Sequence, residues 1–235
     1  MKTLFCLIAA AVLLLAPRAG ANGVNARPAN LPTPTPSTAP LEPGIIACGN
    51  LIYSGNRSSI CFADKFLSDV ARQTTLNVER KFRSVRLDSD QFFDLPFCVF
   101  SGEKSFTLSD RERKNLRRYL TNGGFIVSSP SCSDKDWDNS LRKELALALP
   151  EYPLTKIPMS HPIFSIVNQI GALKCKDGNT AVLEGIEVNG RLVMIHSKEG
   201  LNDVHNAQGC CCCGGNEILT AALVNVNLFT YALLY

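Results

Sequence analysis

Residues 96–129, PFCVFSGEKSFTLSDRERKNLRRYLTNGGFIVSS, carry a strand, a helix and a second strand in immediate succession. Pro96 to Ser101 is a short, unbroken apolar run, the pattern of a strand covered on both faces. Ser109 followed three residues later by Glu112 forms a capping box, and Leu116, Tyr119 and Leu120 fall on one helical face. Asn122-Gly123-Gly124 stops that helix near Thr121, because glycine adopts the left-handed conformation of a helix end without strain. Phe125 to Ser128 is the next apolar run. Units of this kind build parallel sheets with helices on both faces.

The flanking sequence extends the pattern. Gly44 to Tyr53 reads as a strand and Ser54-Gly55-Asn56 as a turn. Ile60 to Thr74 has helical spacing in Phe62, Phe66 and Val70, and in Leu67 and Ala71. Phe82 to Leu87 reads as another strand, with Phe92-Phe93-Asp94 as a short connector. A helix is expected over Trp137 to Leu149, ended by Pro150. Further on the pattern changes. Leu183 to Val188 and Arg191 to Ser197 flank Asn189-Gly190, a strong hairpin signal. Glu217 to Tyr235 reads as a closing helix with Ile218, Ala222, Val226 and Phe229 on one face. The fold class is α/β: a mostly parallel sheet, helices on both faces, and an antiparallel hairpin late in the chain.

The ends set the compartment. Lys2, the apolar Leu4 to Ala16 and the small residues Ala19-Gly20-Ala21 read as a secretory signal peptide over residues 1–21. The run is too short for a membrane-spanning helix. Residues 22–43, rich in Pro, Thr and Ala, read as an extended, disordered spacer, leaving residues 44–235 as one domain. The expectation is an exported protein, periplasmic or extracellular, with no membrane span once the signal is cleaved. A formal charge of +3 is too small to suggest nucleic acid. Arg111, Arg113, Lys114, Arg117 and Arg118 cluster on the amphipathic helix and read as a solvated face.

The chain has 10 cysteines. Cys6 leaves with the signal, and Cys48, Cys61, Cys98, Cys132, Cys175 and the row Cys210 to Cys213 remain, an odd number. In an oxidising compartment such a set forms disulfides. Neighbouring cysteines do not bond each other without strain, so partners for the row are expected among the five distant thiols.

Pro96 to Ser129, His161-Pro162-Ile163-Phe164 and Leu183 to Ser197 (LEGIEVNGRLVMIHS), with NVNLFTYALLY at the end, resemble a bacterial family catalogued as the domain of unknown function 4159. The resemblance implies a class I glutamine amidotransferase-like, flavodoxin-related α/β fold and no assigned reaction. Many relatives carry acidic residues just after the fourth strand; Ser128-Ser129-Pro130 stand there in this chain, a departure from the pattern on which any acid or metal role at those positions rests.

Three chemistries compete. In open parallel sheets, ligands bind at the carboxyl ends of the strands. Cys132 lies there, on the approach to a helix whose N-terminus favours a thiolate, and His161 or His196, oriented by Glu184 or Asp134, would complete a cysteine hydrolase. An amidotransferase elbow has flanking glycines, and Pro130-Ser131-Cys132-Ser133 has none. His161 before Pro162 also suits a structural role. Cys210, Cys211, Cys212 and Cys213 with His205 offer thiolate and imidazole ligands for Zn²⁺ or Cu⁺, though without the usual C-x2-C spacing. The glycines around the row, with Asn216 as a helix cap, could hold an anion. The favoured expectation is a non-catalytic binding or assembly module at the cell envelope, whose partner is an envelope protein or a small ligand. The cysteine hydrolase and the metal-binding protein are the alternatives.

Overall fold

The structure is a computed structural model that describes residues 34–59, 62, 65–201 and 215–235. Seven strands form one sheet: β1 (Cys48–Ile52), β2 (Arg83–Arg86), β3 (Phe97–Phe100), β4 (Phe125–Ser128), β5 (Thr155–Lys156), β6 (Glu184–Val188) and β7 (Arg191–His196). Their spatial order is β2-β1-β3-β4-β7-β6-β5. The first five in that order pair in parallel, and β7-β6-β5 are antiparallel. The α/β reading, mostly parallel with a late antiparallel hairpin, is therefore what the chain adopts. The two-residue β5 had no signal in the sequence, since both of its residues are exposed.

Among the described residues, four α-helices cover the sheet: α1 (Lys65–Gln73), α2 (Asp110–Thr121), α3 (Lys135–Ala148) and α4 (Ala221–Leu234). Strand alternation sorts the core into two layers. Cys48, Phe97, Val99, Phe125, Val127 and Ile195 pack with α1 and α4 on one face. Leu51, Cys98, Phe100, Ile126 and Met194 pack with α2 and α3 on the other. None of these helices is long and apolar enough to cross a membrane, among the described residues.

The strand–helix–strand unit forms as its sequence predicts. Ser109 Oγ accepts from Glu112 N, and the Glu112 carboxylate accepts from Ser109 N at 2.7 Å, a complete capping box. The same carboxylate also accepts from Ser54 N at 2.6 Å, tying the turn after β1 to the start of α2. The basic cluster on α2 is largely partnered. Arg113 reaches Glu144 on α3, Arg117 reaches Glu151, and Arg118 lies 4.3 Å over the Phe93 ring.

The closing helix departs from the sequence expectation. It begins at Ala221, and from Val224 to Ala232 every residue is buried, so there is no single apolar face. Ile218 lies outside it, bridged to Cys175, and Ala222 is half-buried. The reason is position: α4 lies against the sheet and α1, and the segment after β5 packs on it as well. Two hydrogen bonds between Asn227 and the Asn168 backbone, both 2.8 Å, satisfy the Asn227 amide that this burial traps, and Asn225 donates to Leu201 O at 2.7 Å. Its N-cap is Thr220, without a side-chain cap bond.

Ser109→Ala is expected to lower stability by about 1 kcal/mol. Glu112→Ala is expected to cost about 2–3 kcal/mol, because it leaves two backbone donors without their acceptor. Urea unfolding of both variants checks the order of the two effects.

Candidate functional site

The carboxyl ends of β1, β3, β4 and β7 meet along one edge of the sheet. Chain order reverses direction between β1 and β3, the place where open α/β sheets form a crevice. Serines crowd this edge. Ser59 and Ser131 hydroxyls lie 2.6 Å apart, Ser101 Oγ donates to Ser129 O at 2.6 Å, and Ser129 Oγ donates to Glu199 O at 3.1 Å. Ser101, Ser129 and Ser131 are fully buried.

Ser128 and His196 are the last residues of β4 and β7 and stand opposite each other in the register. Ser128 Oγ is 2.8 Å from His196 Nδ1, and His196 Nε2 is 2.7 Å from Asp138 Oδ1 on α3. Asp138 also accepts from Arg142 Nε at 3.0 Å, and the other end of that guanidinium reaches Glu184 on β6. The set contains serine, histidine and aspartate in hydrogen-bonded order. Ser128 and His196 are nevertheless 0% exposed, between the sheet and α3, so no substrate reaches the hydroxyl. The ionised Asp138 only accepts, which puts a proton on Nε2. Ser128 can then donate to Nδ1, or accept from it while donating to Ile195 O at 3.3 Å. Every polar atom of the imidazole is bonded in either state, and the cluster acts as a staple joining β4, β7, α3 and β6. Burial works to raise the Asp138 pKa, but the His196 hydrogen bond, with the charges of His196 and Arg142, outweighs it and holds the carboxyl below its ordinary value.

Cys132 sits in the turn between β4 and α3 at φ 53°, ψ 27°, and Ser133 follows at φ 52°. Two consecutive non-glycine residues in the left-handed region are strained, and neighbours hold them there. Ser131 N donates to Gly102 O at 2.8 Å, Asn216 N donates to Ser133 Oγ at 2.9 Å, and Asp134 caps α3 by accepting from Trp137 N. A strand-to-helix elbow thus forms without the flanking glycines that the sequence reading required. The glycine it needs is distant in sequence: a Cβ on Gly215 would lie 3.0 Å from Cys132 Cα and 2.6 Å from Glu217 Oε1. The Glu217 carboxylate, paired with Lys176, therefore stands beside the elbow.

The proposed partners are distributed as follows. His196 shares the edge with Cys132, but both of its nitrogens are engaged by Ser128 and Asp138. Glu184 joins the His196 network through Arg142, and Asp134 is the α3 cap. His161 is elsewhere. Its Nδ1 accepts from Ile163 N, and its ring stands edge-on to Tyr231, whose hydroxyl accepts from Leu192 N near the start of β7. Four residues of extended strand, about 13 Å, separate Leu192 from His196. Burial lowers the His161 pKa. Asn216 does not cap the last helix; its side chain accepts from Asp177 N.

No disulfide joins any two of the described cysteines. Cys48 and Cys98 lie on adjacent strands but point to opposite faces of the sheet, which rules out a bond between them. Burial raises the pKa of both, that of Cys98 to about 12, and also raises that of Cys175. Cys61, His205 and Cys210 to Cys213, with the Zn²⁺ or Cu⁺ reading attached to them, lie outside the described residues.

The sequence model of a family described as a domain of unknown function, DUF4159, matches residues 57–233. The chain belongs to the DUF4159 family. Comparison with curated proteins found no match. The DUF4159 match begins after β1 and ends inside α4, so it includes Cys132, Asp138, His196 and Gly215. The sequence assigns no role to Asp138 or Arg142, and places Gly215 only among the glycines of an anion site and Glu217 only at the start of the closing helix. The Asp138–Arg142 spacing of four was a visible ion-pair signal, but its link to His196 spans 58 residues.

Asp138→Asn is expected to lower stability by about 1–3 kcal/mol at neutral pH, measured by urea unfolding. The folded pKa of Asp138 is below the unfolded one, so its contribution is complete above the unfolded value and is lost as pH falls through the folded value. The difference between wild type and variant should shrink on acidification; a constant difference would contradict the assignment. A second test uses Gly102, where a Cβ would collide with Tyr53 Oη and lie 2.6 Å from Trp137 Nε1. Gly102→Ala should break the 2.6 Å Trp137–Tyr53 hydrogen bond and shift the emission of the only tryptophan.

Proposed function

We propose that this DUF4159 domain is an exported, non-catalytic binding module of the cell envelope that takes a small polar ligand at the carboxyl edge of its sheet. The observation that carries this reading is the state of His196. Both ring nitrogens are bonded, so the histidine at the edge has no nitrogen to offer the Cys132 thiol as a base, while the partly exposed Cys132-Ser133 turn presents polar groups at the same edge, held from beneath by the buried hydroxyls of Ser59, Ser101 and Ser131. Recognition needs such fixed polar groups; acyl transfer needs a base as well. Export rests on the charged and apolar leader of residues 1–21.

A second reading is a cysteine-dependent hydrolase, and the left-handed elbow at Cys132 favours it. The amidotransferase-like fold that the family resemblance implies belongs with this alternative.

One experiment separates the two. Wild type and Cys132→Ser are assayed for turnover of p-nitrophenyl esters and of glutamine, and for thermal shifts with a panel of small sugars, amino acids and carboxylic acids. The expected result is no catalytic turnover and the same ligand-induced shift in both proteins. Turnover that disappears in Cys132→Ser would overturn the binding-module reading and establish the hydrolase.

A further inference from the structure

A seven-stranded open sheet has two edges, and unpaired backbone groups on an edge strand recruit other strands. At one edge β5 has only two residues, too short to template a neighbour. At the other edge, β2 pairs with β1 on its inner side. Its outer side is not bare. Ser37 N donates to Ser84 O at 2.8 Å, and Arg83, on the same strand, donates to the carbonyls of Ala39 and Pro40, the latter at 2.9 Å. Glu79 holds that guanidinium from behind, with Nε to Oε2 at 2.8 Å. With the segment in place, the Arg83 side chain is 12% exposed and that of Glu79 is 21% exposed.

The sequence of the docked segment suits an edge. Pro34, Pro36 and Pro40 share one parity, and Ser37 has the other. In an extended chain, successive backbone groups point to opposite sides, so a segment that turns the Ser37 N–H toward β2 turns the positions of these prolines outward. Proline has no N–H, and its ring fixes an extended φ. The outer side of the segment is therefore poor in donors and a weak template for a further strand.

We propose that the outer edge of β2, with Arg83, is a docking surface for an extended, proline-flanked segment, and that its occupant is residues 35–40 of the same chain. The later part of the Pro-rich stretch is then a strap, not a loose spacer. It closes the β2 edge of the sheet against strand addition.

Limited digestion of the full chain by a non-specific protease, followed by mass spectrometry, tests this. Arg83→Ala removes the pin, and Ser37→Pro removes the N–H that donates to Ser84 O without touching the core. Cleavage within residues 35–43 should be about tenfold faster in either variant than in wild type, as expected for loss of roughly 1.4 kcal/mol of local protection. The wild-type rate should not change with protein concentration. If Arg83→Ala fails to fold, Ser37→Pro carries the test. Equal cleavage in wild type and Ser37→Pro would overturn the strap. Protection that grows with protein concentration would also overturn the proposal, by assigning the surface to the leader of a second copy.

Discussion

The pairing of β4 with β7 is the seam on which the architecture depends. On one side of it lie strands joined by helical crossovers; on the other lies a hairpin. Only β7 belongs to both, parallel to β4 and antiparallel to β6. The seam is short, with three register pairs, and its last pair is Ser128 with His196. Side-chain bonds reinforce it there. Serine on one strand, histidine on the next, aspartate on the covering helix and an arginine reaching the third strand fix the relative position of four elements. A polar group placed in this layer without partners would cost more than it contributes, which is why the cluster is complete atom by atom.

The same staple determines what the edge can do. A histidine held on both sides stabilises the sheet but is withdrawn from chemistry with a neighbouring thiol. The elbow at Cys132 is built by separate means: serine hydroxyls beneath it, the α3 cap after it, and a glycine from the chain end pressed against it. Edge and elbow are joined through α3, whose N-cap Asp134 closes the elbow and whose Asp138 holds the staple.

Much of the fold was legible because it depends on local rules. Pro96 to Ser129 contains its own strand run, cap, helical face and glycine stop, and β4 and the capping box fall where those signals put them. The hairpin followed from Asn189-Gly190 alone, and Asn189 adopts the positive φ of 52° that such a turn demands. Legibility failed where tertiary contacts override periodicity. The closing helix lost its expected single face because three sides of the molecule bury it. The site was less legible than the fold. Cys132 and His196 were found by residue type, but the elbow's glycine is brought near by the contact of Ser133 with Asn216, which spans 83 positions of sequence. Spacing rules have no access to such a contact.

The two thiols of the central strands have a consequence beyond packing. Cys48 and Cys98 are wholly buried, lie in separate layers, and are kept in the neutral form by their surroundings. A soluble oxidant reacts with the thiolate and must first gain access to it. Neither condition is met while the sheet is closed. Oxidation of these two sulfurs is therefore gated by the opening of β1 and β3, and after any exposure to an oxidant their chemical state is a record of whether the sheet has come apart.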